Sequence, residues 1–417
     1  MQILRRGSYG PQAELLQLAL SRAGYLPAQG VDGIFGNATQ AAVTRFQRDS
    51  GLAADGIAGP RTWSALEPWL LGYRTHMVRR GDTLYRIASA YGSSIRAIDI
   101  ANPGIDPLNL RIGQYLIVPL GFDLVPTNIS FTSTVMEYIV RGITARYPFI
   151  NDGRMGYSVL GKPLYWLSIG NGSREVFYNA SHHANEWITT PLLMKYLENY
   201  ARAYAFGGNI GGRSAAELYR RTTLYLAPLV NPDGVDIAVN GIDITNPYHR
   251  KLISKVGIHS FNKVWQANVN GVDINHNYDA HWQVVKEYPS PGGYAGPYSE
   301  SEPETKAIVD FVREEDFDIL IAFHSQGGEI YYDFDGSMGK ESERIVREMA
   351  QHSGYRAAIA EGTAAFGGCK DWFIKEFGKA GFTVEIGHGK NPLPEEMLNS
   401  IYEENAKIIL CAMSEII

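Results

Sequence analysis

Hydrophobic positions in the first 72 residues recur at helical spacing. In the stretch "GPQAELLQLALSRAGYL", the apolar residues Leu15, Leu18, Ala19 and Ala23 fall on one face of a helix. Two Asp-Gly turns, "VDGIFG" and "DGIAGP", each lead into a further helical stretch, and their glycines supply the positive φ that such turns need. The pattern therefore predicts a small module of three helices over residues 1–72.

A second pattern covers residues 75–120. A short strand in "HMVRR" is followed by a helix from Thr83, a helix over residues 94–101 and a closing strand in "QYLIVP". This βααβ order buries one face of a small sheet against two helices. The next stretch, "GFDLVPTNIS", is rich in Gly, Pro and small polar residues, which predicts a linker over residues 121–130.

Apolar strand-like runs alternate with helical stretches over residues 131–417. The runs "LYWLSIG", "REVFYNA", "TTLYLAPLV", "FDILIAFHS" and "GFTVEIG" predict strands, and "TTPLLMKYLENYARAYA" and "SEPETKAIVDFVREE" predict helices. Such alternation predicts a large α/β domain with a parallel or mixed central sheet. The expected fold class is therefore multidomain, with two small modules ahead of the α/β domain.

Composition limits the classes of protein that remain. The 417 residues exceed one ordinary core, and 45% hydrophobic with 20% charged residues is typical of a globular protein. A net charge of −6 argues against nucleic-acid binding, which needs a basic surface. No apolar run reaches the roughly 18 residues that span a bilayer, and the start "MQILRRGSYGPQAELL" lacks the pattern of a signal peptide. The two cysteines, Cys369 and Cys411, exclude zinc held by four sulfurs.

Polar residues follow three of the predicted strands. His183 and Glu186 come after "REVFYNA", His324 ends "FDILIAFH", and Glu385 ends "GFTVE". Because ligands bind beyond the carboxyl ends of the strands in such sheets, we expect these four side chains to lie together. A catalytic zinc takes three nitrogen or oxygen ligands and leaves one position open, and a nearby free carboxylate can move protons.

Each of these residues also has a simpler interpretation. The H-x-x-E spacing of His183 and Glu186 is common by chance, His324 is compatible with a backbone hydrogen bond, and Glu385 with a surface ion pair. However, "FTVE" is an apolar strand, in which a carboxylate without a partner is costly. The four residues together favour a zinc site.

The two small modules resemble known families. The stretches "VDGIFGNATQAAVTRFQ" and "DGIAGPRTW" resemble the peptidoglycan-binding domain of bacterial wall hydrolases, and "VRRGDTLYRIA" with "IGQYLIVP" resembles a LysM domain. The LysM resemblance implies binding of glycans that contain N-acetylglucosamine, with Asp82, Thr83 and Asn109 as candidate contacts. An alternative for Asp82 and Thr83 is that they cap the following helix.

The α/β segment resembles the zinc carboxypeptidases of the carboxypeptidase A type. The motifs "HHANEW", "LVNPDGVD", "GVDINHNYDAHW", "FHSQ", "GGCKDW" and "FTVEIG" occur in the order seen in that family. The resemblance implies Zn²⁺ bound by His183, Glu186 and His324, with Glu385 as general base and acid. The adjacent His182 matches no ligand position, and we expect it to be structural or to lie at the rim.

The chain departs from the family pattern where the substrate binds. The family's arginine after "HA" is Asn185 here, and the Asn-Arg pair that grips a terminal carboxylate is Asn275-His276. Histidine does not form the bidentate fork that arginine makes with a carboxylate. The tyrosine of the family is replaced by Thr363.

Two cations are candidates for the altered substrate contacts. Lys370 stands at the specificity position before "DW", where it would favour a substrate side chain with a carboxylate, unless it pairs with a neighbouring acid. Arg250 follows "NPDG" at about the spacing along the chain at which the resemblance implies an arginine that polarises the scissile carbonyl, and the alternative is an exposed cation.

Together the segments resemble the bacterial γ-D-glutamyl-(L)-meso-diaminopimelate peptidases. That resemblance implies glycan strands and muropeptides as partners and a location at the cell wall, outside the cell or in the spore, with release from the cytoplasm as a further route. The alternatives are an ordinary exo-carboxypeptidase and an inactive wall-binding protein. The loss of arginine at position 276 argues against the first, and the presence of all four residues of the zinc site argues against the second. The oligomeric state and the choice between diaminopimelate and lysine stems stay open.

Overall fold

The computed structural model describes residues 2–257, 261 and 264–413, except for the side chains of residues 363 and 364. The chain forms two compact units. The first comprises Met1–Ser130 with Thr134–Asn151, and the second comprises Phe131–Ser133 with Asp152–Ile417.

The first unit begins with the predicted three-helix module. Its helices are α1 Pro11–Arg22, α2 Asn37–Asp49 and α3 Pro60–Leu71. Their apolar faces are buried, with Leu16, Leu20, Val43 and Leu66 fully enclosed. The helix α2 begins directly after Gly36, so Asn37 is its first residue.

A buried glutamine holds each of the two Asp-Gly loops of this module. The Gln17 amide donates to Asp32 Oδ1, the Ile34 carbonyl and Thr39 Oγ1, and its oxygen accepts from the backbone of Gly33. Gln47 makes the equivalent bonds to residues 55–62. These bonds satisfy polar groups that burial would otherwise leave unpaired.

The βααβ module follows in the same unit. Its elements are β1 Tyr73–Met77, α4 Leu84–Tyr91, α5 Ile95–Ala101 and β2 Tyr115–Pro119. The strands β1 and β2 pair antiparallel, and their inner face packs on the helices through buried Leu84, Ile98 and Leu116. The side chains of Thr83 and Ser94 cap the two helices.

The helix α6 Ser133–Arg146 comes next. Residues 134–151 belong to the first compact unit, whereas the sequence placed them in the third segment, which starts at residue 131. The boundaries of residues 1–72, 75–120, 121–130 and 131–417 therefore stay predictions.

The second unit is built on a mixed sheet of eight strands. Its order is β11-β10-β12-β9-β5-β8-β4-β3. The strands are β3 Asn151–Tyr157, β4 Pro163–Ile169, β5 Arg174–Ala180, β8 Thr222–Ala227, β9 Ile319–His324, β10 Glu329–Tyr331, β11 Arg356–Ala358 and β12 Ala380–Glu385; β6 Asn209–Ile210 and β7 Arg213–Ser214 form a separate ribbon. This arrangement confirms the predicted fold class.

The second unit also contains helices. They are α7 Thr189–Phe206, α8 Ala215–Arg221, α9 Pro232–Asn240, α10 Pro247–Val256, α11 Pro303–Glu315, α12 Ser342–Ser353, α13 Cys369–Phe377 and α14 Leu398–Met413. A core of aromatic side chains forms on one face, where Phe177 stacks on Phe317 at 5.0 Å between ring centroids. Burial of each such ring contributes about 1.5–3 kcal/mol, which fixes the strands that carry the site.

The strands β12, β9 and β5 run parallel to one another at the centre of the sheet. Their carboxyl ends therefore meet at one edge. The short strand β10 lies antiparallel to β12 on its other side. Within the described residues, we find no helix with the length and apolar character needed to cross a membrane.

Candidate metal centre and active site

His183, Glu186 and His324 converge at this edge of the sheet. His183 follows β5, Glu186 lies in the 3₁₀ turn Ala184–Glu186, and His324 is the last residue of β9. Each can offer one ligand atom, and these three atoms lie within 4.8 Å of one another. The structure thus brings together the three residues that the sequence predicts as ligands.

The Glu186 carboxylate lies between the two imidazoles. Its Oε1 is 2.9 Å from His183 Nδ1, and its Oε2 is 3.0 Å from His324 Nδ1. The backbone N–H of Ser325 donates to Oε2 at 3.1 Å, and the Asn391 amide donates to Oε1 at 3.3 Å. Neighbouring groups therefore hold the carboxylate in one orientation, as metal ligands require.

The protonation of the three groups depends on their mutual contact. Burial opposes ionisation of Glu186, but the charges and hydrogen bonds of His183 and His324 lower its pKa to about 2. Burial also opposes protonation of His183, yet Glu186 and Asp273 raise its pKa well above the usual value. Burial lowers the pKa of His324.

The donor set fits zinc. Two imidazole nitrogens and one carboxylate are the ligand types of a catalytic zinc site, which keeps a further position open. The side chains of Glu186 and His324 are at most 4% exposed, so a cation bound there would offset the negative charge of the buried carboxylates.

Asp273 contacts the Nε2 atom of His183, on the side of the ring opposite the contact with Glu186. Its Oδ1 is 3.2 Å from His183 Nε2, at ion-pair distance although not in ideal hydrogen-bond alignment. Its Oδ2 accepts from the backbone N–H of Gly293 at 2.7 Å. Burial opposes ionisation, but His183 and His276 lower the pKa of Asp273. The sequence pattern did not single out Asp273, although it lies in the motif "GVDINHN".

Glu385 lies beside the cluster. It is the register neighbour of His324 across β12 and β9. Among the described residues, its carboxylate has no hydrogen bond or ion pair. Burial and the charge of Glu186 raise the pKa of Glu385 well above the usual value. A free carboxylate thus stands next to the three ligand residues.

His182 is buried rather than at the rim. It is 0% exposed, and its Nε2 is 2.8 Å from the Tyr278 hydroxyl. Its carbonyl accepts from the Asn231 amide at 3.0 Å. The Asn231 side chain also caps α9, so the "NPDG" motif anchors the turn that carries His183 and Glu186.

The residues at the positions that differ from the family pattern make the following contacts. The Asn275 oxygen accepts from the backbone of Cys369 at 3.2 Å, and His276 Nδ1 is 3.1 Å from the Phe366 carbonyl. Asn185 is 5% exposed and lies in the turn between the two ligands His183 and Glu186. Thr363 falls in the 3₁₀ turn Gly362–Ala365, but its side chain lies outside the described residues. Their roles stay predictions.

Lys370 does not present a free cation to a substrate. Its side chain is 3% exposed, its ammonium pairs with the Asp371 carboxylate, and it donates to the carbonyl of Asp333. This is the alternative that the sequence left open, in which the lysine pairs with a neighbouring acid. The expectation of an accessible charge at Lys370 is corrected because Asp371 already neutralises it.

Arg250 is exposed on α10. Its guanidinium donates to the carbonyls of Ile244 and Thr245 at 3.3 and 3.1 Å. In the described part of the chain, it makes no hydrogen bond or ion pair with the ligand cluster. A catalytic role for Arg250 stays a prediction.

The candidate glycan contacts lie in the first unit. Thr83 caps α4 by accepting from the backbone of Arg86 at 3.2 Å. Asp82 accepts from the backbone of Arg79 and is 2.8 Å from His76 Nε2. Asn109 is exposed in the loop before β2. The capping role is present for Thr83, and glycan contact by these residues stays a prediction.

Comparison with known families assigns each part of the chain. Residues 136–408 match the zinc carboxypeptidase family, residues 9–66 match a peptidoglycan binding domain, and residues 76–119 match the LysM domain. The two small domains indicate binding of peptidoglycan and association with the wall.

Individual relatives agree with these matches. The chain is 38% identical over 288 residues to gamma-D-glutamyl-L-diamino acid endopeptidase 1 of Lysinibacillus sphaericus, covering 68% of this chain and 72% of the relative. It is 27% identical over 281 residues to carboxypeptidase B of Bos taurus, covering 61% and 63%. The structure of bovine thrombin-activatable fibrinolysis inhibitor in complex with tick carboxypeptidase inhibitor has a TM-score of 0.54 at 21% identity, covering 69% of this chain and 97% of that chain. This last likeness concerns the fold alone.

Proposed function

Since the chain belongs to the zinc carboxypeptidase family and is a zinc metallopeptidase, we propose that it hydrolyses the amide bond between the γ-carboxyl of D-glutamate and a diamino acid in peptidoglycan stem peptides. The observation that carries the hydrolytic part is the convergence of His183, Glu186 and His324 beside the free carboxylate of Glu385. Similarity to the Lysinibacillus enzyme supports the choice of bond.

The roles of the residues follow from their positions. Zinc, when bound, supplies a Lewis acid that polarises a carbonyl and activates water. His183, Glu186 and His324 would hold it. Glu385 is free to take a proton from the attacking water and to pass it to the leaving nitrogen. Its raised pKa suits this exchange, because a general acid and base works best when its pKa lies near the working pH.

The residue at position 276 supports a substrate other than a simple C-terminal residue. Position 276 is a histidine, whose Nδ1 faces the Phe366 carbonyl, and it does not offer the arginine fork that grips a free terminal carboxylate. Asn275 and His276 would instead hold an amide or carboxylate of the diamino-acid end.

The two small domains would keep the enzyme on its polymer. Binding of an insoluble glycan raises the local concentration of stem peptides near the catalytic domain. We place the enzyme at the wall, either outside the cell or in the spore, with meso-diaminopimelate as the diamino acid.

Mass spectrometry of digested muropeptides tests this proposal. We expect the zinc-loaded protein to leave L-Ala-D-Glu on the sugar, to release the part of the stem that begins with the diamino acid, and to leave a hippuryl-type carboxypeptidase substrate intact. The variant Glu385→Gln should retain zinc and lose about 10²- to 10⁴-fold in kcat, whereas Glu343→Gln, an exposed change on α12, should match the wild type. Cleavage of the hippuryl substrate alone would identify an ordinary carboxypeptidase. Absence of bound zinc and of any cleavage would identify an inactive wall-binding protein.

A further inference from the structure

Four charged or ligating side chains form one row across the sheet. Arg356 on β11 is the register partner of Glu329 on β10, Glu329 is the partner of Glu385 on β12, and Glu385 is the partner of His324 on β9. Directly paired residues project from the same face of a sheet. The row therefore leads from the metal centre, past Glu385, to a cation on the edge strand.

The outer two members of the row form an accessible pair of opposite charges. The Arg356 guanidinium donates to Glu329 Oε1, and the Tyr331 hydroxyl donates to Oε2. These two hydrogen bonds lower the pKa of Glu329, so it is an anion at neutral pH. Burial and Glu329 raise the pKa of Tyr331 to about 12, so its hydroxyl stays a donor.

This pair differs in exposure from the Lys370–Asp371 ion pair. The side chains of Arg356 and Glu329 are 72% and 22% exposed, whereas those of Lys370 and Asp371 are 3% and 2% exposed. A substrate can reach the first pair with little desolvation. It would have to break a buried ion pair to reach Lys370, which is costly.

We propose that Glu329 and Arg356 recognise the ammonium and the carboxylate at the far end of a diaminopimelate side chain. The inference rests on the proposed function, because it concerns the side chain of the diamino acid at the bond that is cleaved. Arg356 lies two strand spacings from Glu385, or roughly 10 Å at about 4.8 Å each. The extended side chain, with three methylene groups before its terminal carbon, and the reach of the arginine together cover that span.

The chemistry distinguishes two kinds of stem peptide. Both diaminopimelate and lysine carry a terminal ammonium group, which can donate a hydrogen bond to the Glu329 carboxylate. Only diaminopimelate adds a carboxylate, for which the arginine guanidinium offers a planar fork. Arg356 is therefore the residue that selects diaminopimelate over lysine, and Tyr331 holds Glu329 in place when the guanidinium turns to the substrate.

Steady-state kinetics on three soluble tripeptides test this assignment. They are L-Ala-γ-D-Glu-meso-diaminopimelate, the same peptide with its side-chain carboxyl amidated, and L-Ala-γ-D-Glu-L-Lys. We expect the wild type to prefer the first in kcat/KM. In Arg356→Leu, the ratio of the first to each of the other two should fall by about tenfold or more, the size of one charge-assisted hydrogen bond.

Two further variants guard against a purely structural effect. Arg356→Lys should retain part of the preference, because it keeps the charge without the fork. Arg347→Leu removes an exposed arginine that pairs with Glu343 on α12, and its ratios should stay within about twofold of the wild type. Thermal unfolding and zinc content of each variant report whether it is folded.

The outcomes separate the two proposals. An unchanged preference in folded Arg356→Leu would overturn the assignment of Arg356 and leave the proposed function intact. Equal kcat/KM values of the wild type on the diaminopimelate tripeptide and on its amidated form would also overturn the assignment of Arg356 and leave the proposed function intact. A zinc-loaded wild type that cleaves none of the three peptides would overturn the proposed function and this inference with it.

Discussion

The contact between Asp273 and His183 predicts a specific effect on zinc affinity. Asp273 is 2% exposed, and its Oδ1 lies 3.2 Å from His183 Nε2. Its other oxygen accepts from the Gly293 backbone. The substitution Asp273→Asn keeps the size and an oxygen acceptor but removes the negative charge. His183 then has a neutral partner behind it and becomes a poorer electron donor on its Nδ1 side.

The magnitude follows from the loss of charge in this polar contact, for which hydrogen bonds to charged and to neutral groups give the scale. A bond to a charged group contributes about 1.5–3 kcal/mol, and a neutral one about 0.5–1.5 kcal/mol. The difference of about 1–1.5 kcal/mol corresponds to roughly 5- to 13-fold in zinc affinity. Asp273→Ala removes both the ion-pair partner of His183 Nε2 and the acceptor of the Gly293 N–H, so the loss of zinc affinity should approach about 100-fold.

Competition with a chromophoric chelator at pH 7.5 measures the dissociation constant of zinc. The matched control is Asp236→Asn, because Asp236 pairs with Lys162 and Ser133 in the same unit and contacts none of the ligand residues. We expect Asp236→Asn to lower the unfolding temperature with zinc affinity unchanged. An Asp273→Asn protein that binds zinc as tightly as the wild type would refute the reasoning, since the carboxylate would then contribute nothing to the ligand.

Three further predictions follow from buried contacts. Glu186 and Asp273 raise the pKa of His183 in the metal-free protein, so protons compete with zinc for this residue. Zinc affinity should therefore fall as the pH drops below that raised pKa. In a chelator titration from pH 5 to 8, Asp273→Asn should shift the fall in zinc affinity to lower pH. Lys370→Met leaves the buried Asp371 carboxylate unpaired and should lower the free energy of unfolding by about 3–5 kcal/mol, measured by chemical denaturation. The preference for diaminopimelate should stay unchanged, and a changed preference would restore Lys370 as a substrate contact. Gln17→Ala removes the bonds to residues 32–39 and should speed amide hydrogen exchange there by at least about tenfold, while the equivalent loop held by Gln47 serves as the internal control; equal exchange in both loops would contradict this.

Local sequence determined much of the metal centre. His183 and Glu186 are three residues apart in one turn after β5, and the apolar strand before each ligand is legible from its composition. Because parallel strands bring their carboxyl ends to one edge, the pattern also predicted that His324 and Glu385 would join them. The two small modules could also be predicted from the sequence, because their helices and turns depend on nearby residues.

The sequence did not reveal the groups that surround the ligands. Asp273 and Asn391 reach His183 and Glu186 from loops far along the chain, and a loop carries no periodic pattern that predicts its position. The three-residue strand β10, "EIY", is too short for such a pattern, so its place beside β12 was not predicted.

The partners of the charged residues were decided by packing alone. From the sequence, a lysine before "DW" is compatible with a substrate contact or with an ion pair. Only the tertiary structure shows that Lys370 is buried in an ion pair with Asp371. In the same way, Arg356, Glu329 and Glu385 are 27 to 56 residues apart in the sequence, and only the strand order places them in one row. The chain by itself determined which residue types stand at the strand ends, because that is local chemistry. Which charges face one another was set by the tertiary structure, because burial and strand neighbours select each pairing.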